Sequence, residues 1–186
     1  IKDCQNYELP FVLKPRSEGS SVGVSIVKNK MDIQKAFENA SKFGEVLLEQ
    51  YIGGRELTVG ILGSQKGLKA LPIVEIRPKT EFYDYEAKYK RNDTEYIVPA
   101  KITQKLTEQI QSIAIKACQS SGIKTFSRVD FLLDQKGNPF LLEINTIPGL
   151  TSHSLLPKAA QSAGISFKEL ITKIITASLK QHDHRK

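Results

Sequence analysis

Long apolar runs are missing from this 186-residue chain. None approaches the ~20 residues that a membrane-spanning helix needs, which argues against a transmembrane protein. Cysteine is scarce as well: Cys4 and Cys118 are too few for a disulfide framework and suit a reducing, cytoplasmic setting. The opening IKDCQNYELP lacks the apolar centre of a secretory signal. No repeat and no low-complexity tract is present. The three histidines, His153, His182 and His184, have no metal-ligand spacing with the cysteines, so no His/Cys metal site is expected.

What is present fits an ordinary globular protein. Apolar residues make up 40% of the chain and charged residues 25%, which argues against disorder. A domain near ~150 residues buries roughly 70% of its unfolded surface, so a stable core needs no staples. Lysine and arginine outnumber acidic residues by 27 to 20, for a net charge of +7. Such a charge suits nucleic acid, and equally the phosphates of ATP. The lysines are scattered, as on a solvated basic surface, and charge alone decides nothing.

The pattern along the chain is α+β, with antiparallel hairpins rather than a βαβ series. Phe11–Pro15 reads as a strand stopped by proline, followed by a loop at 16–21 and a strand over Val22–Val27. Asp32 is placed to cap a helix running to Phe43. Val46–Ile52 and Glu56–Leu62 read as strands around the Gly53-Gly54 break, and Leu68–Ile76 as a hairpin partner of the second. Residues 77–101 are polar and tyrosine-rich, without a period, and a loop of that length is usually functional or disordered. A helix over 102–121 stops at Gly122; strands Phe126–Asp134 and Pro139–Ile144 flank a turn. Helix follows Pro148-Gly149, with Phe167, Leu170, Ile171, Ile174 and Ile175 as the apolar face of the last one, before a polar tail from Lys180.

The late hairpin carries the strongest chemical group. Alternation puts Arg128 and Asp130 on one side of their strand, and Glu143 and Asn145 on one side of the next. Two carboxylates and an amide oxygen form an all-oxygen set of the kind that holds Mg²⁺. A solvated Arg–Asp pair is the plainer alternative. Leu132, Leu141 and Ile144 speak against it by marking the strands as core. The run Glu18-Gly19-Ser20-Ser21-Val22-Gly23 can close backbone N–H groups over phosphates, with Lys14 as a point charge. A simple Gly-Ser turn explains it equally, and it is no P-loop. Glu49-Gln50-Tyr51-Ile52 ends an apolar strand and can offer an adenine edge its backbone groups, with Glu56 nearby.

The order of these groups is more specific than any one of them. Lys14-Pro15 and the Glu18–Gly23 run are followed by Glu49 and Glu56, then Arg128-Val129-Asp130. Glu143-Ile144-Asn145-Thr146-Ile147-Pro148-Gly149-Leu150-Thr151-Ser152-His153-Ser154 comes last. This succession resembles the D-alanine–D-alanine ligase family of the ATP-grasp superfamily, from Phe11 to Leu179. The resemblance implies residues 1–52 as the remnant of an incomplete smaller ATP-grasp lobe. It implies 53–186 as the C-terminal catalytic domain, with a lid loop over 77–101.

By the same resemblance, Lys14 contacts ATP phosphates, Glu49 with the backbone of Gln50, Tyr51 and Ile52 holds adenine, Glu56 holds ribose, and Lys88 reaches the γ-phosphate. Asp130 and Glu143 bind one Mg²⁺, and Glu143 with Asn145 a second; Mn²⁺ is an alternative ion. Arg128 and the Gly149 N–H form an oxyanion hole. Ser154 and the Leu155 N–H bind the carboxylate of the second D-alanine, while Ser20 and Tyr89 join two loops near the first. The implied reaction joins two D-alanines at the expense of ATP through an acylphosphate, for peptidoglycan precursors. Few residues precede Lys14, so the chain reads as a fragment without the N-terminal domain, a homodimer when full length, with neither nucleic acid nor membrane as partner. Two alternatives stand beside this reading. One is a D-alanine–D-lactate or other ATP-grasp carboxylate–amine ligase, and the other a non-catalytic nucleotide- or nucleic-acid-binding module.

Overall fold

A computed structural model describes residues 3–64, 67–78 and 94–183. Contacts divide the chain into two compact units, Ile1–Ile52 with Pro78–Thr94, and Gly53–Arg77 with Glu95–Lys186. In the first, strand β1 (Phe11–Pro15) lies between β2 (Ser25–Val27) and β3 (Val46–Gln50), both antiparallel to it. Phe11, Leu13 and Pro15 alternate inward along β1. Phe11 and Leu13 pack with Val27, Cys4, and Ile33 and Ala36 of α1 (Ile33–Ser41). Val12 and Lys14 therefore take the opposite face of the sheet.

The second unit is built on β4 (Gly54–Ser64), which pairs along its length with β8 (Phe126–Asp134). Its other edge meets β5 (Gly67–Ala70) and then β6 (Val74–Arg77), and β6 in turn pairs with β7 (Glu95–Ile97). β9 (Pro139–Asn145) closes the far edge beside β8, and every pairing is antiparallel. One face packs Leu57, Val59, Ile61, Val129 and Phe131 against Ile110, Ala114 and Cys118 of α2 (Gln104–Ser120). Thr103 starts α2, its side chain accepting from the Leu106 N–H, and Gly122, at φ +69°, follows its end. The other face carries Leu62, Val74 and Phe126 against α3 (Leu155–Ser162) and α4 (Phe167–Asp183). Among the described residues no helix is long and apolar enough to cross a membrane.

Several elements differ from the pattern read off the sequence. Residues 22–24 form a turn, not a strand, because Ser20, Ser21 and Gly23 all take positive φ. Asp32 sits at the start of α1 without a side-chain capping bond. The hairpin partner of β4 is interrupted at 71–73, where the Leu71 N–H reaches the Gly60 carbonyl instead. Within 77–101 the chain forms β7, a strand too short to show a period. α4 runs on to Asp183 through the expected polar tail, and Phe167 and Ile175 of its presumed buried face are about half exposed. β9 is an edge strand, so Leu141 is exposed rather than core.

Candidate functional site

Arg128, Asp130, Glu143 and Asn145 converge on one face of the β8–β9 pair. Register places Asp130 opposite Glu143 and Arg128 opposite Asn145. Next to Asp130 the pairing jumps to Phe131 opposite Leu141, leaving Leu142 as an extra residue. The bulge ends just before Glu143, so Glu143 and Asn145 keep the regular alternation that sets both beside Asp130 and Arg128. Asp130 is nearly buried and tightly held. Its Oδ1 accepts from Arg128 Nε at 2.9 Å and from the Thr58 hydroxyl at 2.5 Å. Its Oδ2 accepts from Arg128 at 2.7 Å and from Asn145 Nδ2 at 2.9 Å. The same Asn145 nitrogen lies 3.2 Å from Glu143 Oε1, so one amide bridges the two carboxylates.

Beyond β9 the chain turns through Pro148-Gly149 into α3. A Cβ on Gly149 would stand 2.8 Å from Ser154 Oγ, so the two residues are in close approach. Ser154 precedes the helix but does not cap it. Its Oγ instead accepts from the Thr151 N–H at 3.1 Å and lies 2.9 Å from the Thr151 hydroxyl. The first-turn amides of α3 are thereby left without a side-chain cap, the arrangement that suits a carboxylate. Gly60 of β4, the register partner of Arg128, lets Leu156 approach: a Cβ there would meet Leu156 Cδ1 at 2.6 Å. The start of α3 is thus seated against the strand beside Arg128.

In the first unit, Lys14 Nζ and Glu49 Oε2 form an ion pair at 2.7 Å, since Glu49 stands opposite Val12 on the face that Lys14 shares. Gln50 ends β3, and Tyr51 and Ile52 follow it, half-buried. Gln50 and Tyr51 line a cavity of about 440 Å³ together with Tyr7, Leu9 and Pro10. Ser20 and Ser21 both adopt left-handed backbone, at φ 53° and 61°, a strain that non-glycine residues accept mostly at functional turns. Lys88 and Tyr89 lie outside the described residues. In the second unit, Glu56 lies two residues before Thr58 and faces the same side of β4.

A separate charged cluster occupies the opposite face of that sheet. Glu75 is buried between Arg55, which donates two bonds at 2.8 and 2.6 Å, and Arg77, which donates one at 2.9 Å. Burial pushes the Glu75 carboxyl up, but the two guanidiniums together hold it below the usual carboxylate range. Hydrogen bonding to Glu75 raises Arg55 in return.

Comparison with known proteins decides the family. Residues 2–176 match the family described as D-ala D-ala ligase C-terminus. The chain belongs to this ligase family. It is 47% identical over 171 residues to the D-alanine–D-alanine ligase of Vesicomyosocius okutanii and 46% identical over 168 residues to that of Bordetella avium. Those alignments cover 91% and 90% of this chain but 57% and 53% of the relatives, so the chain spans about half their length. The crystal structure of D-alanine–D-alanine ligase from Bacillus anthracis superposes with a TM-score of 0.83 at 35% identity, over 100% of this chain and 59% of that one. The VanG D-Ala:D-Ser ligase of Enterococcus faecalis superposes at 0.81 and 32% identity, over 95% and 51%. The fold of the family, ATP-grasp, is the α+β arrangement expected from the hairpin pattern.

Within this ligase fold, oxygen donors suit a hard dication. Among the described residues no three His, Cys, Asp or Glu side chains cluster; the oxygen-bearing candidate set is the smaller one of Asp130 and Glu143 with the Asn145 amide. The Asn145 amide turns its nitrogen to the carboxylates, and a half-turn about its last bond would present the oxygen instead. Two site neighbours escaped the sequence reading, Thr58 and Gly60. Their signal was available: alternation from Glu56 along β4 puts both on the side that Glu56 faces.

Proposed function

We propose that this chain is the catalytic C-terminal part of an ATP-dependent D-alanine–D-alanine ligase. The observation that carries the reading is the bridged Asp130–Glu143 pair beside Arg128, on the face against which α3 is seated. Relatives named D-alanine–D-alanine ligase, at 46–47% identity, support D-alanine as acceptor. The smaller lobe comprises 1–52 and the catalytic domain 53–186, with the lid over 77–101. One Bacillus anthracis structure that this chain resembles was solved with ATP, which supports ATP as the phosphoryl donor.

Lys14 neutralises ATP phosphates, for which it exchanges its bond to Glu49. Glu49 then turns to adenine, alongside the backbone of Gln50, Tyr51 and Ile52. Glu56 takes the ribose hydroxyls, and Lys88 the γ-phosphate. Asp130, Glu143 and Asn145 would hold Mg²⁺, or Mn²⁺, as two ions that share Glu143. Bound there, the metal supplies charge neutralisation for phosphoryl transfer to the first D-alanine carboxylate. Arg128 and the Gly149 N–H donate to the oxygen that becomes negative when the second amine attacks the acyl carbon; one such donor typically lowers the barrier by ~3–4 kcal/mol. Ser154 and the Leu155 N–H orient that second D-alanine by its carboxylate. Ser20 and Tyr89 close over the first, excluding water that would hydrolyse the acylphosphate. The whole protein works as a cytoplasmic homodimer in peptidoglycan precursor synthesis.

Glu143→Gln in the full-length enzyme tests this. Removing one negative charge should weaken Mg²⁺ activation and abolish ATP-dependent phosphate release, while nucleotide still binds. Arg128→Ala should act later and spare phosphoryl transfer more than dipeptide formation. Unchanged Mg²⁺ dependence and turnover in Glu143→Gln would remove the reading.

A further inference from the structure

Thr58 has no part in the assignment above, yet its hydroxyl approaches the Asp130 carboxylate more closely than Arg128 or Asn145 does. We propose that Thr58 is a positioning residue: its hydroxyl fixes the rotation of the Asp130 carboxylate and so sets which oxygen lone pairs face Glu143 and Asn145. The inference rests on the reading of Asp130 as a metal carboxylate and extends it to a neighbour on another strand.

The geometry supports a positioning role in four ways. Thr58 and Asp130 are register partners on β4 and β8, the two central strands, and are 1% and 8% exposed. Their oxygens stand 2.5 Å apart, within the range of hydroxyl–carboxylate bonds. A hydroxyl has one hydrogen to give, and the competing acceptor, the Val129 carbonyl, is neutral and farther at 3.3 Å. The proton therefore goes to Asp130.

The last torsion of an aspartate is broad and roughly two-fold, so its backbone alone does not orient the carboxylate plane. Arg128 and Asn145 also donate to it, but Arg128 is a long side chain and Asn145 sits on the edge strand. Thr58 is β-branched, stiff at its first torsion and buried on the central strand. It is the anchor against which the other donors adjust.

Valine has nearly the same shape and no donor, so Thr58→Val removes the bond with little change in packing. Partners that orient metal-binding carboxylates typically contribute 10–100-fold in metal affinity. The test titrates Mn²⁺ into the 186-residue chain in the presence of ADP, with free ion counted by electron paramagnetic resonance. Thermal unfolding is followed in parallel. Thr58→Val should raise the Mn²⁺ dissociation constant about 10–100-fold, and Thr58→Ser should restore most of the loss. Because Thr58 acts through Asp130, Thr58→Val should add nothing to Asp130→Asn. Should Thr58→Val fail to fold, Thr58→Ala and Thr58→Ser carry the same comparison.

Mn²⁺ binding abolished by Asp130→Asn but unchanged in Thr58→Val would overturn the inference and leave the metal site standing. A lowered melting temperature with parental Mn²⁺ affinity would do the same, since it marks a purely structural bond. No Mn²⁺ binding by the parent, or binding indifferent to Asp130→Asn, would remove the metal-site reading and this inference with it.

Discussion

Glu75 shows what a single buried carboxylate contributes when its partners reach solvent. Its side chain is 1% exposed, while those of Arg55 and Arg77 are 36% and 47% exposed. The arginines are therefore partly screened, and the cluster stabilises less than a fully buried triad would. With its folded pKa below the ordinary 4.5, Glu75 binds a proton less readily in the native state than in the unfolded one. Its contribution is complete above that ordinary value and is lost as pH falls through the folded one. Glu75→Gln should therefore cost about 1–3 kcal/mol at neutral pH. The gap to the parent should hold from neutrality down to the ordinary carboxylate value and close below it. Denaturant unfolding across that range checks this; a gap that widens on acidification would mean that the cause has been misassigned. Glu75 lies on the sheet face away from Asp130, so nucleotide binding should stay intact.

Among the elements, β4 joins both functions of the second unit, since it contributes Glu56 and Thr58 to one face and Leu57, Val59 and Ile61 to the core on the other. Gly60 lies between them and sets how closely α3 approaches. An alanine Cβ there would meet Leu156 at 2.6 Å and Leu71 at 3.0 Å, both almost fully buried and with little room to give. Gly60→Ala should destabilise by about 1–3 kcal/mol, read as a lower melting temperature. In the full-length enzyme it should also raise the KM for acceptor D-alanine more than that for ATP, because the proposed acceptor groups, Ser154 and Leu155, lie at the start of α3. An unchanged acceptor KM would separate α3 from acceptor binding.

The strands that carry this site were legible in the sequence because alternation survives in them. Arg128-Val129-Asp130 and Glu143-Ile144-Asn145 reveal their sides directly, and Gly122 marks the end of α2 by its positive φ. The bulge at Leu142 was not legible, since an extra residue leaves no compositional mark. Nor was the break at 71–73, which depends on a bond from Leu71 back to Gly60, nor the left-handed serines at 20 and 21. The break at 71–73 rests on a neighbour distant in sequence, which local pattern does not encode.

At the scale of the whole molecule, the two units differ in what they supply. The first has one small core around Phe11 and Leu13 and presents Lys14 and Glu49; the second has two cores and presents the Asp130–Glu143 pair and the start of α3. The proposed roles give the second D-alanine a carboxylate site at Ser154 and Leu155 but assign no charged residue of this chain to the ammonium of the first. The chain also spans only 57% and 53% of two relatives' length. Ligation of two small molecules depends on holding both in register, and such positioning is worth effective molarities on the order of 10⁵–10⁸ M. With only the proposed nucleotide, metal and second amino-acid groups, the chain lacks that advantage for the bond that matters. We therefore expect the 186-residue chain alone to bind Mn²⁺ with ADP, yet to form D-alanyl-D-alanine at least about 10³-fold more slowly than a full-length relative. Slow ATP hydrolysis in place of ligation is the expected side reaction, water taking the phosphoryl group where no first carboxylate is held in line. Chromatography of the dipeptide alongside a phosphate-release assay measures both. Dipeptide formed at the rate of a full-length relative would show that these residues already hold the first D-alanine, and the search for its ammonium site would move to Glu18 and the strained serines beside it.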